Sequence, residues 1–239
     1  MFEKKVRGIL AQLRKSDLLP GESTNKIFSE LVSLSVDAGN DLKFENSSLL
    51  PKEIHELRQI CSDGEYNLEL HWNRMIVNSD YPHVELMKFP YYENYRRLAA
   101  MEFLSLKSVV GVYPHKMLII GGGPLPLSGI IATQEYGVMA DYLDISPEAT
   151  EQSNVLNSKL LLDNKSICAD AFSFDLYDEY DTILVAALVG VDGRDKARLL
   201  NKITKQISGN TAVIVRTAEG ARRLLYPEFE SNLFPETMK

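Results

Sequence analysis

The 239-residue sequence predicts an α/β protein, a Rossmann-like doubly wound parallel sheet preceded by an all-α N-terminal domain. Three observations carry that reading. Apolar residues recur with helical spacing up to about residue 115, then fall into short β-rich runs alternating with amphipathic helices, the pattern of βαβ units. A triple glycine, Gly121–Gly123, sits directly between one such run and a helix. Hydrophobic residues make up 45% and charged residues 25% of the chain, an ordinary globular composition with room for a helical domain (1–110) and a sheet domain (111–239).

In the helical part, Val6, Ile9, Leu10 and Leu13 share one face. Ser23 or Thr24 can cap a second helix carrying Ile27, Phe28, Leu31 and Val32, and a polar loop follows over Asp37–Ser48. Pro51 suits a helix start, and the stripe Ile54, Leu57, Cys61, Leu68, Trp72, Met75 predicts a long helix ending at Asn78-Ser79-Asp80. Beyond the Phe89-Pro90 break, a further helix from about Tyr91 to Lys107 carries Tyr95, Leu98, Met101 and Phe103.

The sheet part reads as five strands: Met117–Ile120, Val138–Leu143, Ser166–Ala169, Thr182–Ala186 and Ala212–Val215. Helices are expected over Ser128–Tyr136, from about Pro147 to Asn157 and from about Arg194 to Ile207, with a last one including Gly220–Leu225. Strands and helices in this order, with these loop lengths, make a doubly wound sheet.

Composition excludes several classes of function. The 33 acidic residues outnumber 26 basic ones, and a net charge of −7 offers little to nucleic acid. No apolar run approaches the roughly 18–20 residues of a membrane span, and residues 1–20 lack a signal-peptide core, so a cytoplasmic protein is expected. Cys61 and Cys168 lie far apart and are expected to be buried small hydrophobes. His55, His71, His83 and His115 have no ligand spacing to one another, so no metal site is expected.

In Gly121-Gly122-Gly123-Pro124-Leu125-Pro126, Gly121 permits a sharp exit from the strand, and Gly123 lets a ligand approach the backbone. The third glycine of dinucleotide-binding turns is replaced by Pro126, and two prolines remove N–H donors that would face a pyrophosphate. That points to a ligand without phosphates. Asp144, with Ile145 after it, ends the second strand about 20 residues beyond the turn, where a carboxylate can accept from both ribose hydroxyls. Its alternative role is a cap for the helix from Pro147. Asp170 and Ala171, at the end of the third strand, stand where an adenine edge would lie. Together these describe an S-adenosylmethionine site, and the sheet is of the S-adenosylmethionine-dependent transferase type.

The reaction has to be argued from the helices, because a methyltransferase and an aminocarboxypropyl transferase can share such a sheet. Glu65 and Glu69 lie one turn apart on the long helix, bordering its apolar stripe. Partial burial would raise either carboxylate toward a useful proton acceptor, while a solvated edge would leave it inert. Phe89-Pro90-Tyr91-Tyr92-Glu93-Asn94-Tyr95 holds three tyrosines, of which Tyr91 and Tyr95 share a helical face. Aromatic clusters are commonly core, though a buried tyrosine needs a partner for its hydroxyl.

At these residues the chain resembles the nicotianamine synthase family, including bacterial relatives that build opine-type metallophores. The matching stretches are Phe89-Pro-Tyr-Tyr-Glu-Asn-Tyr95, Ile120-Gly-Gly-Gly-Pro-Leu-Pro-Leu127, Val185-Ala-Ala-Leu-Val-Gly190, and Arg216-Thr217 followed by Gly220-Ala-Arg-Arg-Leu-Leu-Tyr-Pro227. They run in family order over about residues 1–230. Leu31-Val-Ser-Leu34 and the Cys61–Trp72 segment look like the family's N-terminal helices as well.

The resemblance implies transfer of the 3-amino-3-carboxypropyl group of S-adenosylmethionine, a co-substrate, to an amine, with release of 5′-methylthioadenosine and no metal required. Plant and archaeal members repeat the transfer to make nicotianamine. The bacterial relatives are expected to make one, typically onto histidine or another amino acid, before an opine dehydrogenase acts. The family's glutamate and tyrosine, carried over, fall on Glu69 and Tyr95, with Glu65 and Tyr91 as rivals of the same spacing. Tyr92 and Arg216 are candidates for binding the acceptor, Arg216 through a substrate carboxylate or, alternatively, in an ion pair at the sheet edge. Ala187 supplies backbone beside the cofactor. The apolar helices can form a homodimer face. Family members continue into further strands, whereas this chain stops a dozen residues after Pro227, which leaves the last strands and part of the pocket wall open. The alternatives are a small-molecule methyltransferase and a non-catalytic metal- or cofactor-binding protein such as a sensor.

Overall fold

The computed structural model describes residues 2–38, 47–190 and 192–229. Five helices come first: Phe2–Leu13 (α1), Glu22–Asp37 (α2), Pro51–Val77 (α3), Pro82–Leu86 (α4) and Tyr92–Val110 (α5). Pro51 opens α3 at a position where a missing N–H costs nothing, and Glu53 one turn in accepts the Leu50 N–H at 2.7 Å. Gly111, with φ 86°, closes α5 in the left-handed conformation that favours glycine.

The sheet follows as Lys116–Ile120 (β1), Met139–Asp144 (β2), Ser166–Cys168 (β3), Thr182–Val185 (β4) and Ala212–Val215 (β5). All pairings are parallel and the order is β3-β2-β1-β4-β5. Ile120 lies opposite both Leu143 and Val185, so the carboxyl ends of β2, β1 and β4 are level. The winding reverses between β1 and β4, which opens a crevice at those ends.

Leu127–Tyr136 (α6) and Pro147–Lys159 (α7) cover one face of the sheet, and Gly193–Thr204 (α8) the other. The period-2 alternation of β1 feeds both layers. Met117 and Ile119 join Ile76, Phe103, Leu106, Ile130 and Leu156, whereas Leu118 and Ile120 join Leu199, Leu200, Ile203 and Phe229. The helices α3 and α5 therefore share one core with the sheet. A third core unites Val6, Ile9, Leu10 and Leu13 of α1 with Leu31, Leu57 and Cys61, closed by Leu224 and Leu225 from the chain after β5.

Several expectations change. Neither Ser23 nor Thr24 caps α2: Gly21 stands at the N-cap with no side-chain bond, and the Thr24 hydroxyl meets that of Ser16 at 3.0 Å. The short helix α4 has no counterpart in the periodicity, because five residues are too few to show one. Gly220–Leu224 is a 3₁₀ turn, and α8 ends at Thr204. Val32, Met75 and Met101 point outward instead of into the core. Cys61 is buried as expected, but Cys168, last in the edge strand β3, is exposed. Asp37 ends α2, while the rest of the polar loop over 39–46 and the tail over 230–239 lie outside the described residues.

Candidate active site

The glycine turn is shaped by what surrounds it. Gly121 and Gly123 have φ of 82° and 65°, a conformation that strains any L side chain. A Cβ on Gly121 would come within 2.6 Å of Val189 Cγ2, and one on Gly122 within 2.7 Å of Tyr142 Cβ. The N–H groups of Gly121 and Gly122 donate to Leu143 O at 2.8 and 3.3 Å, which folds the turn back over β2. The Gly123 N–H donates to Asp144 Oδ2 at 2.8 Å, and Asp144 Oδ1 accepts the Ser146 N–H at 2.9 Å. Each carboxylate oxygen retains a lone pair for a ribose hydroxyl. The cap of α7 is Ser146, whose Oγ accepts from Ala149 N at 3.2 Å, so Asp144 is not that cap.

What approaches Gly123 within this chain is Glu69. A Cβ at that position would overlap Glu69 Oε2. Pro124 and Pro126 carry no N–H, so Leu125 supplies the one backbone donor of residues 124–126, and its N–H favours the charged form of the Glu69 carboxylate. The same stretch is held by Asn73, whose Nδ2 donates to Pro124 O at 2.6 Å and to Gln152 O of α7 at 3.0 Å.

Burial pushes the Glu69 carboxyl well above its usual range; the neighbouring charges of Glu65 and Asp144 add to this, and the Leu125 N–H opposes it. Burial also raises Glu65, against the Tyr226 hydroxyl that donates to its Oε1 at 2.8 Å. Tyr95 stays protonated because burial and the charges of Glu69 and Glu65 disfavour the phenolate. Its ring lies beneath Arg216, with the guanidinium 5.8 Å from the ring centre. Tyr91 is half-exposed and raised by burial and by Glu65. Glu69 thus lies against the glycine turn and its charge is felt by Tyr95, while Glu65 accepts from Tyr226 and its charge is felt by Tyr91 and Tyr95.

On the acceptor side one expectation changes, and for Arg216 the structure shows the second of the two roles weighed. Tyr92 is buried in the core, and its charged surroundings are Glu135, Arg96 and Glu93, so it is not brought together with the two glutamates. The register explains this, since Tyr92 is rotated about 100° from the face that Tyr91 and Tyr95 share. Arg216 is in an ion pair: Nε and Nη2 donate to Glu102 of α5 at 2.8 and 3.0 Å, and the pair is largely buried. Burial works against its charge, and Glu102 overcomes that. Two of its five N–H groups are thereby committed to Glu102.

The other candidates line the carboxyl end of the sheet. Ile145 is 71% exposed directly after Asp144. Asp170 is exposed past β3 with Oδ1 accepting Phe172 N at 2.9 Å, and Ala171 O accepts the Tyr177 hydroxyl at 2.7 Å. Beyond β4, Ala187 O accepts from Lys196 Nζ at 2.6 Å; the same fully buried ammonium reaches Arg216 O at 3.0 Å. Burial and the nearby Arg58 lower Lys196 to about 8. Asn73, Glu102, Lys196 and Tyr226 were not singled out from the sequence. Asn73 carried one available signal, its position four residues after Glu69. Among the described residues no group of three or more His, Cys, Asp or Glu side chains is placed to hold a metal, and no helix is long and apolar enough to cross a membrane.

A doubly wound parallel sheet with a glycine turn after β1 and an acid at the end of β2, overlaid by helices, is the S-adenosylmethionine-dependent transferase type of α/β protein. The sequence profile described as "Nicotianamine synthase protein" matches residues 2–234. The chain belongs to the nicotianamine synthase family. It is 31% identical to nicotianamine synthase 9 of Hordeum vulgare over 236 residues, covering 94% of this chain and 68% of that protein. It is 29% identical to nicotianamine synthase of Solanum lycopersicum, covering 90% and 69%. Its fold is similar to that of MtNAS in complex with MTA and tNA, with a TM-score of 0.82, 23% identity, and coverage of 98% of this chain and 89% of that one. A mutant of MtNAS in complex with S-adenosylmethionine gives a TM-score of 0.79 at 23% identity, covering 96% and 87%.

Proposed function

We propose that the protein transfers the 3-amino-3-carboxypropyl group of S-adenosylmethionine to the amine of an amino acid, with Glu69 as proton acceptor and Tyr95 as the hydroxyl that orients the reacting amine. The observation that carries this reading is the enclosed Glu69 carboxylate lying against Gly123 and the Leu125 N–H, beside a protonated Tyr95. Family membership supports the reaction, and the relatives' names and the S-adenosylmethionine-bound neighbour support the substrate.

The acceptor nitrogen attacks the substrate carbon next to sulfur, the C–S bond breaks, and its electron pair leaves on the sulfur of methylthioadenosine. The amine then carries a proton that Glu69 takes. Three carbons flank a sulfonium, so the product is set by which of them faces the nucleophile at about 3–3.5 Å. On this reading Asp144, Ile145, Asp170, Ala171 and Ala187, at or just beyond the carboxyl ends of the strands, hold the nucleoside, and Glu69 meets the turn from the helical side. A cationic substrate lowers the pKa of a raised carboxylate beside it, so binding of the sulfonium readies Glu69 to accept.

For the acceptor, two enclosed carboxylates in a cleft whose nearby guanidinium is already matched by Glu102 favour an amine with a positive charge, such as histidine. On that reading one transfer takes place, and an opine dehydrogenase completes the metallophore. Mass spectrometry of products from a panel of amino acids tests the proposal. Methylthioadenosine together with an aminocarboxypropyl adduct, of histidine foremost, is expected; S-adenosylhomocysteine with a methylated acceptor would overturn it, and nicotianamine from S-adenosylmethionine alone would replace the single transfer by repeated condensation.

A further inference from the structure

We propose that Asn73 is a positioning residue for the reaction, acting by fixing the orientation of the Pro124–Leu125 peptide unit; this rests on the reading of Glu69 as proton acceptor. Glu69 and Asn73 are four residues apart on α3 and project from the same face. They take the two polar ends of one peptide. Asn73 Nδ2 donates to Pro124 O at 2.6 Å, and the Leu125 N–H at the other end favours the charged form of Glu69, whose Oε2 abuts Gly123 of the same turn. In a planar trans peptide the C=O and N–H point in opposite directions, so gripping the carbonyl aims the N–H. The second Nδ2 hydrogen goes to Gln152 O at 3.0 Å, which ties the grip to α7.

The side chain of Asn73 is fully buried, and its Oδ1 has no hydrogen-bond partner. Two carbonyls facing Nδ2 fix which way the amide points. A residue present for packing alone would not strand a buried acceptor, since an apolar side chain of similar volume would fill the space without one. What asparagine adds is the pair of donated bonds. Their consequence falls on Glu69. The carboxylate lies against Gly123, and the held N–H opposes the rise that burial imposes. The flanking prolines remove every competing backbone N–H from residues 124–126, which gives the unusual turn sequence a physical purpose.

Asn73→Leu and Asn73→Ala both remove the donors, one keeping the volume and the other not. Both are expected to lower kcat about tenfold or more while the dissociation constant of S-adenosylmethionine stays within about threefold. In both, the acid limb of kcat against pH should move up by about 0.5–1 unit, because the Leu125 N–H that favours the charged form of Glu69 is no longer held toward it. If one variant does not fold, the other reads the same limb. A limb that stays in place, with kcat falling only in step with melting temperature and further for alanine than for leucine, would overturn the proposal and leave a packing role. Glu69→Gln separates the two readings: full activity there defeats Glu69 as acceptor, whereas an inactive Glu69→Gln together with an unmoved limb in the Asn73 variants defeats only this inference.

Discussion

Glu69 shows how one side chain takes its character from its surroundings. The folded chain holds its proton more tightly than the unfolded chain does, because burial outweighs the Leu125 N–H. By linkage, Glu69 favours the fold fully below the ordinary carboxylate pKa, and that contribution is lost as pH rises through the raised value. Without ligand, Glu69→Gln should therefore raise the melting temperature at pH 7.5 by a few degrees and flatten the fall in stability from pH 5 upward, as read by calorimetry. The same substitution should lower kcat by about 10²–10⁴-fold, the usual contribution of a general base, while S-adenosylmethionine still binds. Equal losses in Glu65→Gln would make the two carboxylates joint acceptors. The glutamates, the tyrosines, Asp144 and the glycines were all legible from residue type and position. Their pairings were not: Asn73 lies 51 residues from Pro124, and Arg216 lies 114 from Glu102. Nothing local encodes contacts at such separations.

On the proposed reading, α3, α5 and the glycine turn form the working unit. The turn depends on what α3 presses against it, so Gly123→Ala meets both a φ of 65° and the Glu69 carboxylate. It is expected to displace Glu69 and abolish turnover, with a stability loss of about 1–3 kcal/mol measurable by urea unfolding. The sequence showed that a glycine was needed there, but attributed the need to a ligand; a single sequence does not say which atoms come close. Between α5 and the sheet, the Arg216–Glu102 pair is 13% and 12% exposed at the side chains. Glu102→Ala leaves a buried guanidinium unmatched and should cost about 3–5 kcal/mol, whereas replacing both residues by apolar ones should cost much less. Most strands and helices were legible within a few residues because two periods, 2 and 3.6, are strong signals over long segments. The end of α2 was misjudged because hydroxyl residues suit a cap in general, but here Ser16 and Thr24 bond to each other and Gly21 takes the cap.

At the scale of the molecule, the sequence divides near residue 115 while the packing is continuous across that point. Ile76, Phe103 and Leu106 from the helices share a core with Met117, Ile119 and Tyr142 of the sheet. We propose that the helical part and the sheet unfold together. Trp72, the one tryptophan, packs against that core from α3 and reports on the helical part. Its fluorescence and the far-ultraviolet circular dichroism should give coincident transitions in urea; two separated midpoints would show independent units. The arrangement suits the proposed reaction, in which an acceptor carboxylate on one layer and a nucleoside site on the other act together only if the layers hold a fixed distance.

In the proposed reaction the aminocarboxypropyl group moves and the methyl group stays with the nucleoside. S-adenosylmethionine labelled separately in those two groups, turned over with histidine, tests it directly. Label from the aminocarboxypropyl chain should pass to the acceptor while the methyl label remains on methylthioadenosine, in wild type and not in Glu69→Gln. Passage of the methyl label to the acceptor would contradict the account.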